Sequence, residues 1–155
     1  MPRHEALIPL SREHHHTLVL ALRLKKGGPT TTKDNWPIDL EEQRIATLRF
    51  FRHEILPHFA LEERTIFPAA VHIAAAQAIV QTLRAQHHEI ARRFQSLDSI
   101  SAEDAPTLLT AFRELGELLD THIRLEERTL FPLMERELST AAWDRIRDGH
   151  ELPEA

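Results

Sequence analysis

The chain has 155 residues, 42% hydrophobic and 28% charged, with 19 Lys and Arg against 24 Asp and Glu, 11 His and no Cys. That length suits one domain, residues 1–155, and a net charge of −5 with scattered basic residues leaves no electrostatic footprint for nucleic acid. Without cysteine there can be no disulfide, thiolate nucleophile or iron-sulfur cluster, so any metal must be held by nitrogen and oxygen.

In chain order, the Met-Pro-Arg-His-Glu start has no apolar leader, and no stretch approaches the roughly 20 apolar residues that cross a bilayer. A soluble, cytoplasmic protein with no membrane partner is expected. With 4 Gly and no alternating apolar run, helices must carry the fold. A first helix is predicted from a Ser11 cap through Leu18 and Leu22 to Lys26, stopped by Gly27-Gly28-Pro29. After a loop from Thr30 to Pro37, Asp39 with Glu42 starts a long second helix with apolar residues at Ile45, Leu48, Phe51, Ile55, Phe59 and Ile66. Pro57 and Pro68 should each kink it.

A third helix runs from Ala74 through Leu83, Ile90, Phe94 and Leu97 to the loop Asp98-Ser99-Ile100-Ser101. The fourth starts near Asp104 with Pro106 in its first turn and repeats Leu108, Phe112, Leu115 and Leu119 toward Phe131 and Leu138. Ser139-Thr140 caps a short fifth helix holding Trp143 and Ile146 and ending at Gly149. Short links between long amphipathic helices make neighbours antiparallel. The predicted fold is all-α: an antiparallel up-down-up-down four-helix bundle over about residues 11–138, with a short C-terminal helix over about 139–148.

A repeat organises the bundle. The segment from His58 to Pro68 recurs 64 positions later from His122 to Pro132, with eight of eleven positions identical. A fainter echo matches Arg12-Glu-His-His15-His with Arg84-Ala-Gln-His87-His. Two similar hairpins related by a pseudo-twofold axis would set the second and fourth helices facing each other.

Helical geometry then selects the inward residues. Glu62 lies about 40° around the helix from His58, whereas Glu63 is about 140° away. His58 and Glu62 thus continue the stripe of Leu48, Phe51 and Ile55, and His122 and Glu126 that of Phe112, Leu115 and Leu119. Of the tandem histidines, His15 aligns with Leu18 and Leu22, and His87 with Leu83, Ile90 and Phe94. His87 and the His58 pair both lie roughly 15 to 20 Å from the turn between their helices, at one level.

Six inward polar groups in an apolar bundle need a partner. Imidazole and carboxylate donors suit iron, zinc or manganese; two carboxylates can bridge two ions while four imidazoles cap them in pairs. Four donors per ion satisfy zinc but leave room at iron for a bridging oxide or hydroxide and an exogenous ligand. A ferritin-like site would need Glu-x-x-His on two helices, and only Glu13 with His16 fits. Glu63 and Glu127 are read as partners of nearby arginines. His4, His14, His16, His53, His72, His88 and His150 are read as bystanders, with His53, His88 and Glu127 as reserve candidates.

From Ser11 to Leu138 the chain resembles the hemerythrin-like, or HHE cation-binding, bundles: a His on the first and third helices, and His-x-x-x-Glu-Glu followed by Phe-Pro on the second and fourth. The resemblance implies a non-haem di-iron centre with His15, His58, His87 and His122 as ligands and Glu62 and Glu126 as bridges, meeting a small diatomic ligand or peroxide. Oxygen-carrying hemerythrins have a further histidine where this chain has Ala91, and a last-helix carboxylate at the position of Glu127. The pattern is closer to the four-His, two-Glu branch, which includes proteins of nitric oxide response, iron-sulfur centre repair and iron or oxygen sensing. It lacks the Cys-bearing extension of the repair proteins. The expected function is binding of, or reaction with, O2, NO or peroxide at two iron ions. The alternatives are an iron- or oxygen-sensing module and an iron donor to damaged metal centres.

Overall fold

The computed structural model describes residues 2–150, and among them there is no strand. The first rod, α1, spans Ile8–Lys26 and is entered through a 3-10 turn at Glu5–Leu7. It starts before the expected Ser11 because Pro9 sits in its first turn, where a missing N–H is harmless. Ser11 is therefore inside the helix rather than its cap. The rod stops at Gly27, whose left-handed φ of 80° lets its N–H return to the Arg23 carbonyl at 2.8 Å.

The second rod joins α2 (Leu40–Phe50), α3 (Leu56–Leu61) and α4 (Phe67–Ala70) through wide turns at Phe51–Ile55 and Glu62–Ile66. Asp39 caps it by accepting from the Glu42 N–H at 3.0 Å. In the wide turns Leu56 N–H bonds the Phe51 carbonyl and Phe67 N–H the Glu62 carbonyl, a reach of five residues instead of four. Each ends two residues before a proline, Pro57 or Pro68. Each ring expected to kink the rod is preceded by such a widened turn.

The third rod, α5, is Gln77–Ser96, flanked by 3-10 turns. The fourth joins α6 (Ala105–Leu125) to α7 (Phe131–Glu137) through a wide turn at Glu126–Leu130, again two residues before a proline, Pro132. Thr121 stands where the second rod has Pro57, and α6 runs past it without widening. Asp104 caps α6 through the Thr107 N–H, and Ser139 caps the short α8 (Thr140–His150) through the Ala142 N–H.

Side-chain contacts fix the directions. Ser11 meets Glu127 while Lys25 meets Asp120, so the first and fourth rods are antiparallel. His58 meets Glu13 while Gln43 reaches the Gly27 carbonyl, which antiparallels the first and second. Phe51 stacks on Phe94 and Phe59 on His87, pairing the second with the third. Arg93 bonds Glu114 and His122 meets Gln86, pairing the third with the fourth.

The core is divided. One apolar cluster gathers Leu7, Leu10, Phe67, Leu83, Phe131 and Met134 with Trp143 and Ile146 of α8. The other gathers Leu20, Leu24, Phe51, Ile55, Phe94, Phe112 and Leu115. Between them lies a single layer of buried polar residues. Two residues expected in the apolar stripes face solvent instead: Ile45 is 50% exposed and Leu22 53%.

Candidate metal centre

The polar layer holds His14, His58, Glu62, His87, His122 and Glu126, none more than 7% exposed. His58 and Glu62 lie on the second rod, His122 and Glu126 on the fourth, and His87 on the third, as the helical faces predict. His15 is not among them. It is exposed, and His14 occupies the place expected for it.

The cause is the register of α1. Its buried stripe is Leu10, His14, Ala21 and Leu24, one residue out of phase with the Leu18 and Leu22 stripe inferred for His15. Ala21 is small enough to be overlooked as a core residue, yet it is 1% exposed. The register of the fainter repeat shifts likewise by one residue: in the fold Glu13-His14 corresponds to Gln86-His87, 73 positions apart, whereas Arg12 to Arg84 is 72. Of the other histidines, His16, His53, His72 and His88 are exposed, His4 stacks on Trp143 at 3.8 Å, and His150 lies on α8.

The donor atoms converge. Donor atoms of His14, His58 and Glu62 lie within 4.8 Å of one another, and so do those of Glu62, His87, His122 and Glu126. Glu62 belongs to both groups. His58 Nε2 is 3.0 Å from His14 Nε2 and 3.4 Å from Glu62 Oε1; His87 Nε2 is 3.2 Å from that oxygen. His14 Nε2 lies 3.8 Å from a carboxylate oxygen of Glu62 and 3.8 Å from one of Glu126, so the two glutamates meet across the bundle.

Each ring is held from behind by its other nitrogen. His14 Nδ1 faces Glu127 at 3.0 Å, His58 Nδ1 faces Glu13 at 2.5 Å, His87 Nδ1 faces Glu63 at 3.0 Å and His122 Nδ1 faces the Gln86 amide oxygen at 2.7 Å. Nδ1–H donation to these acceptors leaves every Nε2 lone pair aimed inward, the arrangement that orients histidine ligands at metal sites. Glu127 and Glu63, expected beside arginines, do lie near Arg3 and Arg84 but also anchor these rings. Sequence reasoning missed Glu13 and Gln86 as anchors, although each stands one residue before the inward histidine of its rod.

Inside the layer several atoms lack partners. Glu62 Oε2, both carboxylate oxygens of Glu126 and His122 Nε2 are buried without a hydrogen bond. His122 Nε2 and Glu126 Oε1 are 2.7 Å apart yet make no aligned bond. A buried carboxylate left in this state is strongly unfavourable, and a cation between the oxygens and the imidazoles removes the deficit. Four nitrogens and two carboxylates are a donor set suited to a transition metal.

The metal-free electrostatics reflect the same crowding. Burial disfavours a charged His58, but the charge of Glu62 and the bonds to Glu13 and Glu62 outweigh it and carry the imidazole up to about 10. Burial pushes His122 down to about 3, with Glu62 opposing and the neighbouring imidazoles adding to the fall. Burial would raise Glu62, yet the charge of His58 and the neighbouring imidazoles of His14, His58 and His87 hold it well below the usual carboxylate range.

Phe59 lies flat against His87, with ring centres 3.8 Å apart, and edge-on to His122 at 5.4 Å. A cavity of about 10 Å³ adjoins His14, His58 and His122 and is closed by Thr17, Ile55, Phe59, Leu119 and Ile123. That is room for one water-sized molecule.

The family model described as Hemerythrin HHE cation binding domain matches residues 7–143, which include the whole polar layer. Neither the curated proteins nor the solved structures compared with the chain give a significant match.

Proposed function

The chain belongs to the hemerythrin HHE cation-binding family, and on that premise we propose that its polar layer holds two iron ions and binds or reacts with dioxygen, nitric oxide or peroxide. His14 and His58 would serve one ion with Glu62, and His87 and His122 the other with Glu62 and Glu126. When bound, iron supplies a redox-active Lewis acid with coordination positions free for a small ligand. His15, on the solvent side of α1, takes no part.

The observation that carries this reading is the outward anchoring of all four rings around three buried carboxylate oxygens without a hydrogen bond, one of Glu62 and both of Glu126. Residues that merely satisfied one another would extend the internal contacts of His14 with His58 and of His87 with Glu62 to the Glu126 oxygens as well. The chain's own contribution is to fix the tautomers, bury the layer between two apolar clusters, and leave beside it a space of about one water molecule, too small for an organic substrate. Among the described residues no helix is long and apolar enough to cross a membrane.

Anaerobic reconstitution with ferrous iron tests the reading. About two iron ions per chain and a charge-transfer band on oxidation are expected. Uptake well below one iron per chain, or no spectral change with any of the three ligands, would overturn it.

One observation favours a sensing role for the same centre. The polar layer separates the two halves of the core, so metal binding and folding stability are linked. Such a sensor requires metal-free protein that melts earlier and is cleaved faster than loaded protein; equal protease resistance of the two forms would remove that role. Nearly complete burial of the ligands disfavours the third alternative, donation of iron to other proteins.

A further inference from the structure

The four rings are anchored unequally. Under the pseudo-twofold relation Glu127 behind His14 corresponds to Glu63 behind His87, and both are carboxylates at 3.0 Å. The other related pair is Glu13 behind His58 and Gln86 behind His122. Here a charged group on one side is matched by a neutral one of the same length and shape. Equal shape means that packing does not require the difference.

Chemistry distinguishes them. A carboxylate accepting Nδ1–H places negative charge behind the ring and strengthens Nε2 as a donor; an amide oxygen gives the bond without the charge. A carboxylate only accepts, which keeps the proton on Nδ1. An amide can turn its NH2 toward the ring and so tolerates the opposite tautomer, in which Nε2 carries the proton and cannot bind a metal. In that tautomer Nε2–H would point into the layer, where Glu126 Oε1 is 2.7 Å away.

We propose that Gln86 is a positioning residue that makes His122 the weakest of the four imidazole donors and thereby sets the His87–His122 metal position apart from the His14–His58 position. This rests on the two-metal reading above. Beyond the uneven carboxylate supply of the two positions, it assigns a further inequivalence of the imidazole donors to one residue on the third rod that touches neither ion.

Cobalt(II) titration of metal-free protein, followed by visible absorption, tests it alongside Mössbauer spectra of protein loaded with iron-57. Wild type is expected to show two iron environments. Gln86→Glu should tighten one cobalt step by about 10-fold to 100-fold, leave the other within about threefold, and draw the two iron signals together. Gln86→Ala should weaken that same step. Glu13→Gln should weaken the other step and also bring the signals together, and it carries the test if Gln86→Glu fails to fold.

If Gln86→Glu and Glu13→Gln both fold and leave both steps and both iron signals unchanged, the inference is overturned while the two-metal reading stands. If wild-type protein takes up neither cobalt nor iron, the two-metal reading itself falls.

Discussion

Gly116 of α6 lies so close to Ala21 of α1 that a β-carbon on it would stand 2.7 Å from the Ala21 carbonyl oxygen and 2.9 Å from Lys25 Cγ. The Lys25 stem can move, but the backbone oxygen cannot. On an exposed helix face Gly→Ala would stabilise by about 1 kcal/mol. Here it must push the first and fourth rods apart, so Gly116→Ala is expected to destabilise by about 1–3 kcal/mol, read from urea denaturation. An unchanged or raised midpoint would show that the contact has slack.

His14 and His15 make a paired test of the α1 register. His14→Ala removes a donor and leaves Glu127 without its ring, so iron or cobalt uptake should fall by at least about 10-fold. His15→Ala, on the exposed side, should leave uptake and stability within experimental error. The reverse pattern would mean that α1 is turned by one residue from the orientation described.

Phe59 supports two rings at once and is 8% exposed. Phe59→Ala should cost metal-free protein about 3–5 kcal/mol. Loaded protein carrying it should also bind larger anions such as azide more tightly, because the space beside His122 opens. Azide affinity equal to that of wild type would place the ligand path elsewhere.

Asp34 organises the link after α1. It accepts from Arg23 at 2.7 and 3.1 Å, from the Thr30 and Trp36 backbone N–H groups, and from the Thr30 hydroxyl. The bond from Arg23 first, then that from Thr30, hold its carboxyl far below the usual range. A lowered carboxyl pKa contributes stability that is complete above the unfolded value, about 4, and is lost as pH falls through the depressed folded value. Amide exchange at Thr30 and Trp36 should therefore stay slow at pH 4 and accelerate only in stronger acid. Asp34→Asn should make it fast already at neutral pH. Equal protection in the two proteins at pH 7 would refute the role.

Legibility followed the range of the interactions. The ends of the second and fourth rods were readable because Asp39 and Asp104 act within their own first turns. Glu62 and Glu126 could be placed because a repeated motif carries its own face with it. The first rod was harder. His14, His15 and His16 differ only by rotation, and what turns His14 inward is packing of Ala21 against Gly116, more than 90 positions apart in sequence. The wide turns were half readable: proline announced a disturbance, but its form depends on the five-residue hydrogen bond chosen by the folded rod.

A wide turn stores one residue beyond what an α-turn needs. The second rod stores two and the fourth stores one, since the turn at Phe51–Ile55 has no counterpart before Thr121. From His58 to Pro68 and from His122 to Pro132 the stored lengths agree, so the count is the same in both copies of the motif where the polar layer sits. Toward the Asp39 end the count differs by one. A single-residue deletion within Phe51–Ile55 could be absorbed by converting that turn to ordinary helix, with the rest of the rod still in phase. The same deletion within Glu62–Ile66 would draw on the length that both copies of the motif share. Tolerance to changes in chain length is thus written asymmetrically along the second rod.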